Sequence, residues 1–128
     1  MPMACRAYLI HEGETTEIIV NINNLAVLVK EKSDISDIVV VGPFNNHFIL
    51  NFKKGKIRFC SDPKVKEIVE AGLMKIDSES KTELFFYKGF IQYRSIQTVN
   101  ICAASELQAK EVVQKWTSAP LKHLIKVA

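Results

Sequence analysis

The sequence contains little of what marks a specialised chain. Cysteine is limited to Cys5, Cys60 and Cys102, and no two of them stand at the Cys-x-x-Cys spacing of a zinc or redox site. An odd, scattered set in apolar surroundings reads as small hydrophobes in a reducing compartment. No apolar run approaches the roughly 18 to 20 residues needed to cross a bilayer. The opening Met1-Pro2-Met3-Ala4-Cys5-Arg6 lacks the basic-then-apolar layout of a signal peptide. A cytoplasmic protein without a transmembrane segment is therefore expected. Charge of one sign is missing too: 17 Lys and Arg stand against 14 Asp and Glu, a net +3. Such a weak overall field does not by itself announce a nucleic-acid binder. His11, His47 and His123 are scattered, so no metal site and no cofactor is expected, and each reads as a surface histidine.

What is present is ordinary globular material. Hydrophobic residues make up 48% and charged ones 24% of 128 residues, enough for one core and a single domain over 1–128. Cys5 to Ile10 and Glu17 to Ile22 read as strands around a polar turn, His11 to Thr16. Asn23-Asn24 then either caps a short helix, Leu25 to Lys32, whose Val27 falls off the apolar stripe, or punctuates two strands; the helix is the preferred reading. The run Ile38 to Val41 predicts a strand covered on both faces. A loop follows over Gly42 to Asn46, then a strand from His47 that aligns Phe48, Leu50 and Phe52 on one face, answered by Ile57 and Phe59. Asp62 and Pro63 carry N-cap and first-turn chemistry for a helix bearing Val65, Ile68 and Val69, with Gly72 as its stop. Asp77 to Lys81 is a polar loop. Ser105 opens a last helix with Leu107, Val112, Val113 and Trp116 on its stripe, ended by Pro120. Leu121 to Ala128 suits either a short helix or a strand.

The order predicts an α+β fold: a mainly antiparallel sheet or half-barrel of about six to seven strands with two to three helices, the last near the C-terminus. Two segments share the pattern Phe-x-Lys-Gly-x-Ile-x-aromatic-x-Ser, from Phe52 and from Phe86. Both read as hairpins turning at Lys54-Gly55 and Lys88-Gly89. The run Val99 to Glu106, leading into the helix that bears Trp116, resembles the closing strand and helix of pleckstrin-homology-type domains. The resemblance covers the last fifth of the chain and implies a fold analogy without ligand residues.

Three functions are weighed on this basis. The favoured one is a small non-enzymatic binding domain acting through protein–protein contact, as an adaptor, inhibitor or assembly subunit. Its partner is another protein or a second copy. Leu121, Leu124, Ile125 and Val127 are the expected contact, because an unfolded tail would expose them together. The alternative is nucleic-acid binding. Lys53, Lys54, Lys56 and Arg58 form an acid-free cluster. With Lys88, Arg94 and the aromatics Tyr87, Phe90 and Tyr93 it combines cations for phosphates with rings for bases. The bland reading of the same lysines is solubility at exposed strand edges. The third function is a thiol enzyme centred on Cys60, with Asp62 and His47 as its only available neighbours.

Overall fold

The computed structural model describes residues 3–32, 36–43, 47–78 and 83–127. Its elements run β1 (Ala4–His11), β2 (Glu14–Asn21), α1 (Ile22–Lys32), β3 (Asp37–Val41), β4 (Ile49–Lys53), β5 (Lys56–Cys60), α2 (Pro63–Ser78), β6 (Phe85–Gln92), β7 (Ile96–Ala103), α3 (Glu106–Trp116) and β8 (Leu121–Lys126). Of the expected loops, residues 44–46 and 79–81 lie outside the described residues, as does Ala128 of the tail. Among the described residues the fold is α+β with three helices, within the two to three expected. The sheet has eight strands rather than six or seven, in the order β5-β4-β3-β1-β2-β7-β6-β8. Every pairing is antiparallel except β2 with β7. A strand follows the last helix, so the pleckstrin-type ending is not reproduced.

The true internal repeat is larger than the Lys-Gly pattern. In β1-β2-α1-β3, a hairpin of two eight-residue strands leads into an eleven-residue helix that crosses back to place β3 beside β1. In β6-β7-α3-β8 the hairpin strands and the helix have the same lengths, and β8 lies beside β6. Crossovers between parallel strands share one hand. Joining the two units through parallel strands therefore relates them by a half-turn about an axis along the strands, which puts their helices on opposite faces. The core follows this: Ile18, Val20 and Cys102 pack with α1, while Ile19, Ile101 and Ala103 pack with α3. Cys5, Ala7 and Leu9 under α1 correspond to Tyr87, Gly89 and Ile91 under α3.

That correspondence corrects the second hairpin. Gly89 is not a turn residue but the middle of β6, and the chain turns at Tyr93–Ser95. A Cβ on Gly89 would stand 3.0 Å from Ile101 Cδ1 and 3.2 Å from Leu121 Cδ1, so the glycine is there for packing. The first hairpin turns as read, with Lys54 and Gly55 at φ +53° and +74°.

The seam between the units is short. β2 and β7 pair only at Ile19–Ile101 and Val20–Cys102. Beyond the strand ends, α1 and α3 start side by side with matching caps. Asn21 Oδ1 accepts from the Asn23 N–H at 2.9 Å, and Ser105 Oγ accepts from the Gln108 N–H at 3.1 Å. The third residues of the two helices then meet: Asn24 Nδ2 donates to Gln108 Oε1 at 2.7 Å, and the same oxygen accepts from the Ala104 N–H at 2.7 Å. Helix α1 thus begins at Ile22, earlier than expected, with Asn24 buried inside it rather than capping it.

The remaining elements extend the first unit. β4 and β5 lengthen the sheet beyond β3, and α2 packs on α1, which is why Val27 is buried despite falling off the stripe. Asp62 caps α2 through Lys64 N–H at 2.9 Å. Gly72 does not end that helix, which runs six residues further to Ser78. It is instead the contact point: a Cβ there would lie 2.9 Å from Ala26 Cβ. Ile68, expected in the stripe, is exposed because only the Val65–Val69 side meets α1.

Gly72→Ala is therefore expected to destabilise the chain although alanine is the better helix former. Overpacking costs about 1–3 kcal/mol against about 1 kcal/mol of propensity gained. Urea unfolding should show a net loss of about 1 kcal/mol, relieved when Ala26→Gly is added.

Candidate functional site: an uncovered sheet face

Helices α1 and α2 cover one face of the sheet over the first unit, and α3 covers the other face over the second and reaches across β2 to the start of β1. Among the described residues, no element covers the α3-side face of β3, β4 and β5. Its rows follow from the register: Arg6–Val41–Ile49, then Tyr8–Val39–Asn51–Phe59, with the pairs Ile10–Asp37 and Lys53–Lys56 beyond them. The run Ile38 to Val41 is thus covered on one face only. Ile38 and Val40 are buried, whereas Val39 and Val41 are half-exposed.

Phe59 reaches this face through a bulge. Leu50 pairs with Cys60 and Phe52 with Ile57, so Arg58 is the extra residue and the strand flips between Ile57 and Phe59. Ile57 answers Phe48, Leu50 and Phe52 in the core, as expected. Phe59 does not: it lies opposite Asn51 with 55% of its surface exposed, near Ile49 at 41%. An unbroken alternation cannot reveal this, but a phenylalanine two residues after a core isoleucine and one before a core-facing cysteine carries the signal.

The expected nucleic-acid residues divide. Lys53, Lys54, Lys56 and Arg58 sit on the β4–β5 hairpin at one end of the open face. Tyr87, Lys88 and Phe90 are in β6, five strands on from β4, or about 24 Å at the usual spacing. Tyr87 is buried under α3, Lys88 and Phe90 point to the opposite face, and Tyr93 and Arg94 occupy the exposed β6–β7 turn. Phe90 meets His123 at 6.1 Å between ring centroids, tilted by 55°. The tail is folded back as β8. Leu121 and Leu124 pack beneath α3, while Ile125 and Val127 are exposed on the other side, so the four do not form one surface.

A cleft of about 420 Å³ opens beside the face, lined by Arg6, Val41, Pro43, His47, Tyr93 and Trp116. Arg6 spans the two units there. Its guanidinium lies 4.6 Å from the Trp116 ring centroid, and Nη1 donates to Tyr8 Oη at 3.2 Å. Nε is 3.2 Å from Glu17 Oε1 but off the line of a hydrogen bond, so this buried nitrogen has no bonding partner among the described residues.

Cys60 and His47 are not brought together. Cys60 faces the α1–α2 side and donates its S–H to the Asp62 carbonyl at 3.1 Å, whereas His47 lines the cleft on the opposite side. Among the described residues, no three of His, Cys, Asp and Glu gather as a metal site, and no helix is long and apolar enough to cross a membrane. Cys5 and Cys102 are core residues, and burial pushes both thiols up from 9.0 to about 12, with Glu31 adding to the rise at Cys102 and Lys32 opposing it. What the fold and surface define is a small α+β domain with one apolar, basic-rimmed sheet face uncovered. No known protein family, curated protein or solved structure matches the chain.

The thiols carry a pH prediction. Above about pH 9 the unfolded chain releases protons that the folded chain retains, so stability falls from there towards pH 12. The slope is at most about 1.4 kcal/mol per pH unit for each thiol. Alkaline denaturation of a Cys5→Ala/Cys102→Ala variant should be correspondingly shallower than that of the parent.

Proposed function

We propose that this chain is a non-enzymatic binding domain acting through protein–protein contact, with the open face of β1, β3, β4 and β5 as its contact surface. The observation that supports the reading most is the apolar centre Val39, Val41, Ile49 and Phe59, which is accessible and flanked by cations. Its size selects the occupant. Four strands at ~4.8 Å, each contributing about five residues of ~3.3 Å, make about 300 Å². Two such faces together stay well below the ~1,000 Å² of a stable dimer, which argues against a second copy. One helix of ~10–12 Å diameter fits the span. Lys53, Lys54, Lys56 and Arg58 at one end outnumber Asp37, so charge complementarity favours an amphipathic helix with carboxylates beside its apolar stripe.

A second reading, single-stranded nucleic acid, draws on the Phe90–His123 ring pair beside Lys88 on the opposite face. One set of titrations separates the two. Fluorescence anisotropy would compare a labelled amphipathic helix of about 18 residues with a leucine stripe and glutamate flanks, its lysine-flanked twin, and a single-stranded oligonucleotide. The acidic helix is expected to bind, more weakly as salt rises. Its affinity should drop about tenfold or more, about 1.4 kcal/mol, in Ile49→Asp/Phe59→Asp. Charge reversal at Lys53, Lys54 and Lys56 should remove the salt dependence. Equal binding of both helices, or none, overturns the reading. Oligonucleotide binding lost on Lys88→Glu would favour the second.

A further inference from the structure

The seam between β2 and β7 leaves backbone groups open inside the sheet. The β1–β2 turn has two residues, Glu12 and Gly13, at φ +49° and +79°, so His11 and Glu14 are the closing hydrogen-bonded pair. Bonded and non-bonded pairs then alternate, and Thr15, Glu17 and Ile19 aim their N–H and C=O groups away from β1, towards β7. Ile19 is met there by Ile101. At Glu17 the ladder has stopped: its carbonyl takes the side chain of Asn100, Nδ2 to O at 3.2 Å, in place of a backbone partner. Among the described residues, the N–H and C=O of Thr15 and the N–H of Glu17 have no partner strand.

Beside these groups lies a cleft of about 440 Å³ on the α1 side of the sheet, the face opposite the proposed helix-binding surface. Its walls are Leu9, Ile18, Phe86 and Val127, with Thr16 and Asn100 at the seam. Lys32 closes one wall, its ammonium 5.2 Å from the Phe86 ring centroid. Unpaired strand backbone next to an apolar cleft is the combination that accepts an added strand: main-chain bonds supply affinity, and a pocket for alternate side chains supplies selectivity.

We infer that the open seam is a second binding site, taking an extended peptide segment that pairs with β2 along Thr15–Glu17 and places an apolar side chain in the cleft between Ile18 and Phe86. The backbone is the recognised chemistry, because only another strand offers a donor and an acceptor at the spacing Thr15 presents. A small apolar molecule would fill the cleft but leave those groups unmet. The site shares no residue with the open face, so either one functions or fails without the other.

The test is amide hydrogen exchange by NMR on the full chain, with a capped hexapeptide of alternating valine and threonine and with the same peptide N-methylated at every amide. The expected result is slowing of Thr15 and Glu17 exchange by about tenfold or more at saturating peptide, absent with the methylated peptide. Phe86→Ala should weaken the effect while leaving the free chain's spectrum dispersed. Three outcomes overturn the inference: no added protection at millimolar peptide, equal protection from the methylated peptide, or protection already present at Thr15 and Glu17 in the free chain. Protection confined to Leu121–Lys126 would place strand addition at the outer edge and overturn it as well.

Discussion

The bond from Asn24 to Gln108 is the point on which the two halves of the sheet depend. The units share only two ladder pairs, and the helix starts add a part-buried polar contact to the packing of Ala4 and Ile19 under α3 and of Cys102 under α1. Gln108 is suited to this because one carbonyl oxygen serves two donors, Asn24 Nδ2 and the Ala104 N–H, while its own backbone N–H is capped by Ser105. A buried amide left without its partner costs about 1–3 kcal/mol, so the pairing constrains where α1 and α3 begin. The half-turn itself comes from the parallel pairing of β2 with β7 and the shared hand of the two crossovers; the amide pair ties the two helix starts together within it.

Two consequences of the half-turn define which surfaces of the sheet are bare. Each unit's helix protects one face, so each leaves a half-face bare, and only the first unit adds strands and a further helix. The bare half-face of the first unit is apolar at its centre, and that of the second mixes Phe90 and Ile125 with Lys88, Thr98 and His123. The outer edges are guarded differently. β5 bulges at Arg58, and β8 shifts register between Leu121 and His123, with Lys122 and Lys126 along it. Bulges and cations on edge strands oppose edge-to-edge pairing, so the edges are defended while the interior seam is not.

Much of the fold was legible in the residues because local signals and burial agreed there. Asp62-Pro63 and Ser105 mark helix starts whose caps the backbone needs, and Phe48, Leu50 and Phe52 alternate as one buried face. Where the signals concerned packing at long range, reading failed. Gly89 looks like a turn because glycine is permissive, yet it serves close approach under α3. Gly72 looks like a helix stop, yet it makes room for Ala26. The site was hidden for a related reason. Val39 and Val41 are apolar whether or not a helix lies over them, and the one-residue bulge that turns Phe59 outward leaves only a broken alternation behind. The seam depends on a pairing between residues far apart in sequence, Asn24 with Gln108, which no local period records.

The most direct measurement of this architecture is a double-mutant cycle on Asn24→Ala and Gln108→Ala, with stability read from urea unfolding. If the seam is held as described, each single change destabilises by about 1–3 kcal/mol. The double change should fall short of the sum by about 1 kcal/mol or more, because the second partner has already been lost. Additive effects, agreeing to within about 0.5 kcal/mol, would contradict the account and show that the two units are held in place without this bond.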